Sequence, residues 1–265
     1  MQQTNDFFCE MEYLLRLVGS AVNGKAPPAP PKGIDFHAFC RIAEENAFTQ
    51  VVYPGVEAFR KENCFPAAAL DALKKGYQLA LAQDLNQQYE LEKLLAFCEE
   101  REILCIPVKG SVFKQLYPQS VMRYMGDIDI WVEEKGFARV EGYLKAENFG
   151  LEDKSGVHDE YIKPPYVALE LHKKLVSEEN RAASFFNLDM TGRAKPYSGY
   201  RFVKMLTAED QYIYLIDHTA KHFYGSGITP RMILDFYMFY KKFAEEIDWE
   251  ALSEKLVPLH YKTFE

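Results

Sequence analysis

The sequence is short of positive charge. It has 31 Lys and Arg against 39 Asp and Glu, a formal net charge of -8. That balance excludes a broad basic surface that tracks nucleic acid, although a local basic pocket stays open. Long apolar runs are also missing. None approaches the roughly 18 residues of a membrane-spanning helix. Cysteine is sparse: Cys9, Cys40, Cys64, Cys98 and Cys105 are odd in number and form no CxxC pair. A disulfide framework is therefore not expected, and the thiols read as reduced core or helix residues. Residues 1–20, "MQQTNDFFCEMEYLLRLVGS", carry acids among their apolar residues and no basic stretch ahead of them. No signal peptide is expected there. Together these features predict a cytoplasmic protein. There is no internal repeat.

What is present is ordinary globular material. The 265 residues, 48% hydrophobic, suit one large domain or two modest ones. A helix is predicted over about residues 4–19. "GKAPPAPPKG", residues 24–33, then forms a stiff extended connector. Asp35 is a predicted N-cap for a helix in "IDFHAFCRIAEENAF". Pro54 and Gly55 are expected near the start of another short helix. Pro66 is suited to the first turn of a long one that reaches about Arg101.

The hydrophobic period changes near residue 103. "ILCIPV" reads as a short buried strand, "SVFKQLY" as a helix and "DIDIWV" as an alternating strand. "KGFARVEGYLKAENFG" reads as a helix. "HDEYIKP" and "YVALELHKKL" read as a hairpin around Pro164 and Pro165. A loop-like stretch and a "YRFVKML" strand follow. Helices return over about 207–224, 229–244 and 248–257, with "TAED" at Thr207 resembling a capping box. The predicted class is α+β: an N-terminal helical segment (1–102), a mixed-sheet core (103–206) and a C-terminal helical segment (207–265).

Two carboxylates stand out. Asp127 and Asp129 are one residue apart in an otherwise apolar strand. Alternation places them on one face with Trp131, while Ile128, Ile130 and Val132 take the other. Like charges about 7 Å apart at their α-carbons repel. A divalent cation turns that repulsion into attraction, and oxygen-only ligands suit magnesium or manganese. The competing reading has Asp127 ending a turn and Asp129 facing solvent. Upstream, Lys109-Gly110-Ser111 follows a strand and opens a helix, where free backbone N–H groups favour a phosphate.

The ordered set Val108-Lys109-Gly110-Ser111, then Asp127-Ile128-Asp129-Ile130, resembles the nucleotidyltransferase superfamily that includes DNA polymerase beta. Two departures, Lys109 before the glycine and a long spacer, match a narrower bacterial group, the uncharacterised nucleotidyltransferase family. Its further pattern is similar to Leu116-Tyr117-Pro118, Arg123, Glu170-Leu171-His172, His218, Lys221-His222 and Leu234-Asp235 here. The resemblance spans about residues 34–260.

The resemblance implies that Glu170 completes a carboxylate triad with Asp127 and Asp129. The three would hold two metal ions, magnesium or manganese, and transfer a nucleoside monophosphate from a nucleoside triphosphate, such as ATP, to a hydroxyl acceptor. Lys109, Gly110, Ser111, Arg123, Lys221 and His222 are the expected nucleotide-binding residues. For Lys109 and Arg123 a purely solvated or structural role stays open. The acceptor is expected to be a small molecule, a protein side chain or an RNA end. His218 and His222, four apart on a helix, have a zinc-like spacing with nothing nearby to complete it. Tyr117, Tyr124 and Trp131 are candidates to stack on a base. The alternative function is a catalytically silent nucleotide-binding or partner-binding module of the same fold.

Overall fold

A computed structural model describes residues 2–62, 64–197, 199–225, 227–259 and 261, with side chains from residue 9 onward except those of 188 and 189. The chain divides into two compact units.

The first unit contains residues 2–85, 117–124 and 229–231. Its helices are α1 (Gln2–Val22), α2 (Phe36–Glu45), α3 (Thr49–Val56) and the first half of α4 (Ala67–Glu100). Asp35 caps α2, accepting from the N–H groups of His37 and Ala38. The core gathers Leu14, Leu17, Phe39, Ile42, Val51 and Leu70, all essentially inaccessible. Phe39 packs tilted against Tyr13 and edge-to-face against Phe65. Pro54 lies near the end of α3, not near a helix start as expected. Burial of Val51, Val52 and Val56 extends the helix through the proline, against its local tendency.

The second unit contains residues 86–116, 125–228 and 232–261. Its strands are β1 (Cys105–Val108), β2 (Ile128–Val132), β3 (Gly150–Lys154), β4 (His158–Lys163) and β5 (Val167–His172). They form one mixed sheet in the order β1-β2-β5-β4-β3, with only the β2/β5 pair parallel. Helix α5 (Gly110–Phe113) follows β1, and α6 (Glu134–Ala146) follows β2. One sheet face carries Ile128, Ile130, Val132, Leu169 and Leu171. It packs on Leu94, Leu95 and Cys98 of α4 and on Val140 and Leu144 of α6. Gly136 lets α6 approach closely: a Cβ there would sit 2.4 Å from Cγ2 of Ile103.

The C-terminal part adds α7 (Ala183–Arg193), the two-residue strands β6 (Lys195–Pro196) and β7 (Lys204–Met205), and helices α8 (Ala208–Gly225), α9 (Pro230–Phe243) and α10 (Trp249–Leu256). Thr207 Oγ1 accepts from the Asp210 N–H, as the capping signature predicts. Ile213, Tyr214 and Ile216 of α8 form a second core with Ile106, Val108, Phe113 and Phe239. The architecture is therefore α+β, as the change of period suggested. Three local expectations differ. Helix α7 replaces the expected loop, its Phe186 and Met190 buried in the second core. Strand β3 was not foreseen, because it is an exposed, charged edge without alternation. "YRFVKML" supplies only the short β7, paired with Lys195 and Pro196.

Candidate active site

Register builds the site. Asp129 on β2 stands opposite Glu170 on the parallel neighbour β5, and Trp131 stands opposite His172. Across the β4/β5 pair, Glu170 faces Glu160 and His172 faces His158. Directly paired residues share a sheet face, as do alternate residues along a strand. Asp129, Glu170, His172 and His158 therefore project from the same face. Asp127 lies immediately before β2. Ligand atoms of Asp127, Asp129 and Glu170 all lie within 4.8 Å of one another.

Asp129 does not face solvent, as the competing reading would have it: it is only 2% accessible. A buried carboxylate needs close compensation. Lys109 and His172 provide it. Lys109 Nζ is 2.5 Å from Asp129 Oδ1 and 3.3 Å from Glu170 Oε2. His172 Nε2 is 2.9 Å from the same Asp129 oxygen and 3.1 Å from Glu170 Oε2. Lys109 holds its place at a cost. Its backbone lies at φ 48°, ψ -124°, where side chains with a Cβ are strained by about 1–3 kcal/mol.

The charges respond accordingly. Burial, then the neighbouring charges of Asp129 and Glu170, push the Asp127 carboxyl up to about 7. Burial would raise Glu170 too, but the His172 hydrogen bond and the Lys109 charge outweigh it and hold this carboxyl well below the usual range. For Lys109, burial is outweighed by Asp129 and Glu170, which hold the ammonium firmly protonated. For His172, burial is outweighed by hydrogen bonds to the same two carboxylates, and its pKa rises. The site thus brings together three acids, the Lys109 ammonium and the His172 imidazole.

The other predicted residues have varied surroundings. Gly110 and Ser111 open α5, where helix geometry leaves the first N–H groups without intrahelical partners. The Ser111 hydroxyl is buried, 3.5 Å from the Asp129 carbonyl oxygen. Arg123 belongs to the first unit and donates to the Tyr124 carbonyl. Lys221 is exposed on α8. His222 is half-buried, its ring 4.6 Å from that of His218. Among the described residues, neither of these histidines joins a group of three ligating side chains. Tyr117 is buried in the first unit. Tyr124, also there, lies under the Arg231 guanidinium. Trp131 is half-buried and donates to the Lys173 carbonyl. His158 was not singled out from the sequence, and His172 only as part of a family pattern. A hairpin centred on Pro165 pairs the two, so their juxtaposition follows from strand alternation once the turn is placed.

Residues 32–265 match the sequence profile of the uncharacterised nucleotidyltransferase family. The chain belongs to that family. Two solved structures of the antibiotic-resistance factor ANT(2'')-Ia are similar to it at low identity. The solution structure is 13% identical with a TM-score of 0.47, covering 68% of this chain and 98% of that one. The crystal structure with adenylyl-2''-tobramycin is 12% identical with a TM-score of 0.48, covering 67% of this chain and 99% of that one. No curated protein sequence matches the chain. No helix among the described residues is long and apolar enough to cross a membrane.

Proposed function

We propose that this chain transfers a nucleoside monophosphate from a nucleoside triphosphate to a hydroxyl acceptor and releases pyrophosphate. The observation that carries the reading is the convergence of Asp127, Asp129 and Glu170. All three offer oxygen, the chemistry that suits magnesium or manganese. An acid whose proton affinity is raised by like charges is one that a cation would relieve, and Asp127 has that character. A bound divalent ion would supply charge stabilisation at the reacting phosphate oxygens, and a pair of ions would serve both the attacking and leaving oxygens.

Each side chain then has a defined task. Asp127 and Asp129 hold metal. Glu170, which stays ionised over the whole working range of pH, holds metal and accepts a hydrogen bond from the acceptor hydroxyl, so it orients the nucleophile. Lys109 balances the charge of Asp129 and Glu170. The N–H groups of Gly110 and Ser111 cradle the triphosphate. Arg123, Lys221 and His222 are assigned to the nucleotide by family resemblance alone. On the same basis the core 103–206 carries the chemistry, and the flanking segments 1–102 and 207–265 support it. The free cysteines suit a reducing cytoplasm.

A catalytically silent nucleotide-binding module is the second reading. One observation favours it: Lys109 and His172 already contact both Asp129 and Glu170 within the chain. Pyrophosphate release separates the two. The purified protein is incubated with magnesium, each nucleoside triphosphate and fractionated cell extract, and pyrophosphate is measured enzymatically. Acceptor-dependent release that depends on Asp129 supports transfer. Nucleotide binding without release in any fraction supports the silent module.

A further inference from the structure

The imidazoles of His158 and His172 flank the one carboxylate, Glu170, that also belongs to the all-oxygen group. His158 and His172 are directly paired across β4 and β5, with ring centroids 5.0 Å apart. His158 Nε2 lies 3.3 Å from Glu160 Oε1 and 3.7 Å from Glu170 Oε1, and His172 Nε2 lies 2.9 Å from Asp129 Oδ1 and 3.1 Å from Glu170 Oε2; Glu170 is the acid the two imidazoles share. Ligand atoms of the three residues all fall within 4.8 Å of one another. We infer that His158, Glu170 and His172 form a second metal subsite, of mixed imidazole and carboxylate character, that takes a divalent transition-metal ion such as zinc or cobalt.

Three features support this beyond proximity. The first is the outer contact of His172. Its Nδ1 is 3.3 Å from the Lys174 carbonyl oxygen, which it donates to. Metal-ligating histidines are commonly oriented in this way, their second ring nitrogen bonded to a carbonyl, which fixes Nε2 as the ligand. The second is His158: its Nε2 faces Glu170, while its buried Nδ1 has no hydrogen-bond partner among the described residues that would hold the ring in another role. Buried nitrogens are ordinarily satisfied. The third is ligand chemistry. Two imidazoles and one carboxylate match zinc or cobalt, whereas three carboxylates match magnesium. The two groups share Glu170 but differ in the ions they prefer. Three protein ligands also leave a coordination position open, as in sites that bind a further small ligand.

The subsite does not require that the chain transfer nucleotides, although it shares Glu170 with the site proposed for that reaction. The test is cobalt binding by metal-stripped full-length protein, followed by visible absorption and by pulsed electron paramagnetic resonance for nitrogen coupling. The wild type is expected to bind cobalt with imidazole-nitrogen coupling. His158→Gln should weaken that binding at least tenfold and remove part of the coupling. Asp127→Asn, which leaves all three ligands in place, should retain the cobalt signature while losing magnesium affinity. Absence of nitrogen coupling in the wild type would overturn the inference without reference to any variant. So would a cobalt signature that survives in His158→Gln and disappears in Asp127→Asn, since that pattern assigns the ion to the all-oxygen group.

Discussion

Replacing Asp127 by asparagine should stabilise the protein without metal, and more so at high pH. The folded chain holds the Asp127 proton to about pH 7, whereas an unfolded aspartate loses it near pH 4. Between those values the folded state binds more protons than the unfolded state, so stability falls as pH rises. Each pH unit in that window costs about 1.4 kcal/mol. Asparagine keeps the shape of the protonated carboxyl and removes the titration. Its advantage over the wild type should therefore be about 2–3 kcal/mol larger at pH 8 than at pH 5. For a chain of this size that corresponds to roughly 4–5 °C in thermal midpoint. Differential scanning fluorimetry at the two pH values, with metal removed, measures it. Magnesium at pH 8 should then raise the wild-type midpoint and leave the variant largely unmoved. A difference between the proteins that is the same at both pH values, or a variant less stable at pH 8, would refute the electrostatic account of the site.

Two further outcomes follow from particular contacts. Lys109→Met removes the ammonium that reaches both Asp129 and Glu170, leaving a buried carboxylate with His172 alone; stability at pH 8 should drop by about 3 kcal/mol in urea denaturation. An unchanged midpoint would mean that this ion pair contributes nothing in solution. Gly136→Ala places a Cβ against Ile103 behind the sheet, and overpacking of about 1–3 kcal/mol should exceed the helix-propensity gain of up to about 1 kcal/mol. Its midpoint should fall, and a rise would show that α6 can shift outward without loss.

The elements with strong periodicity and clear punctuation were legible in the sequence. The Asp35 cap, the α4 run after Pro66, the β4/β5 hairpin and the three C-terminal helices all carry local signals that agree with their environment. The misses have tertiary causes. Strand β3 is held by pairing with β4 alone, since its own residues are exposed. Helix α7 is held by burial of Phe186 and Met190 rather than by a cap. The convergence of Asp127, Asp129 and Glu170 was implied by the family pattern, and the common face of the two aspartates by strand alternation. The burial of Asp129 was not, because it depends on the neighbours that cover it. Nor does spacing along the chain reveal that Lys109 turns toward the carboxylates. That contact depends on the strained turn between β1 and α5 and on the register of β2 with β5.

Nucleotidyl transfer through the carboxylate group is the activity on which the other roles depend. It is tested most directly by supplying nucleoside triphosphate labelled at either the α- or the γ-phosphate to the protein with magnesium and cell extract. Label from the α-phosphate is expected to become attached to an acceptor, label from the γ-phosphate to leave as pyrophosphate, and Asp129→Asn to do neither. Transfer of the γ-label to an acceptor, or undiminished α-label transfer by Asp129→Asn, would contradict it.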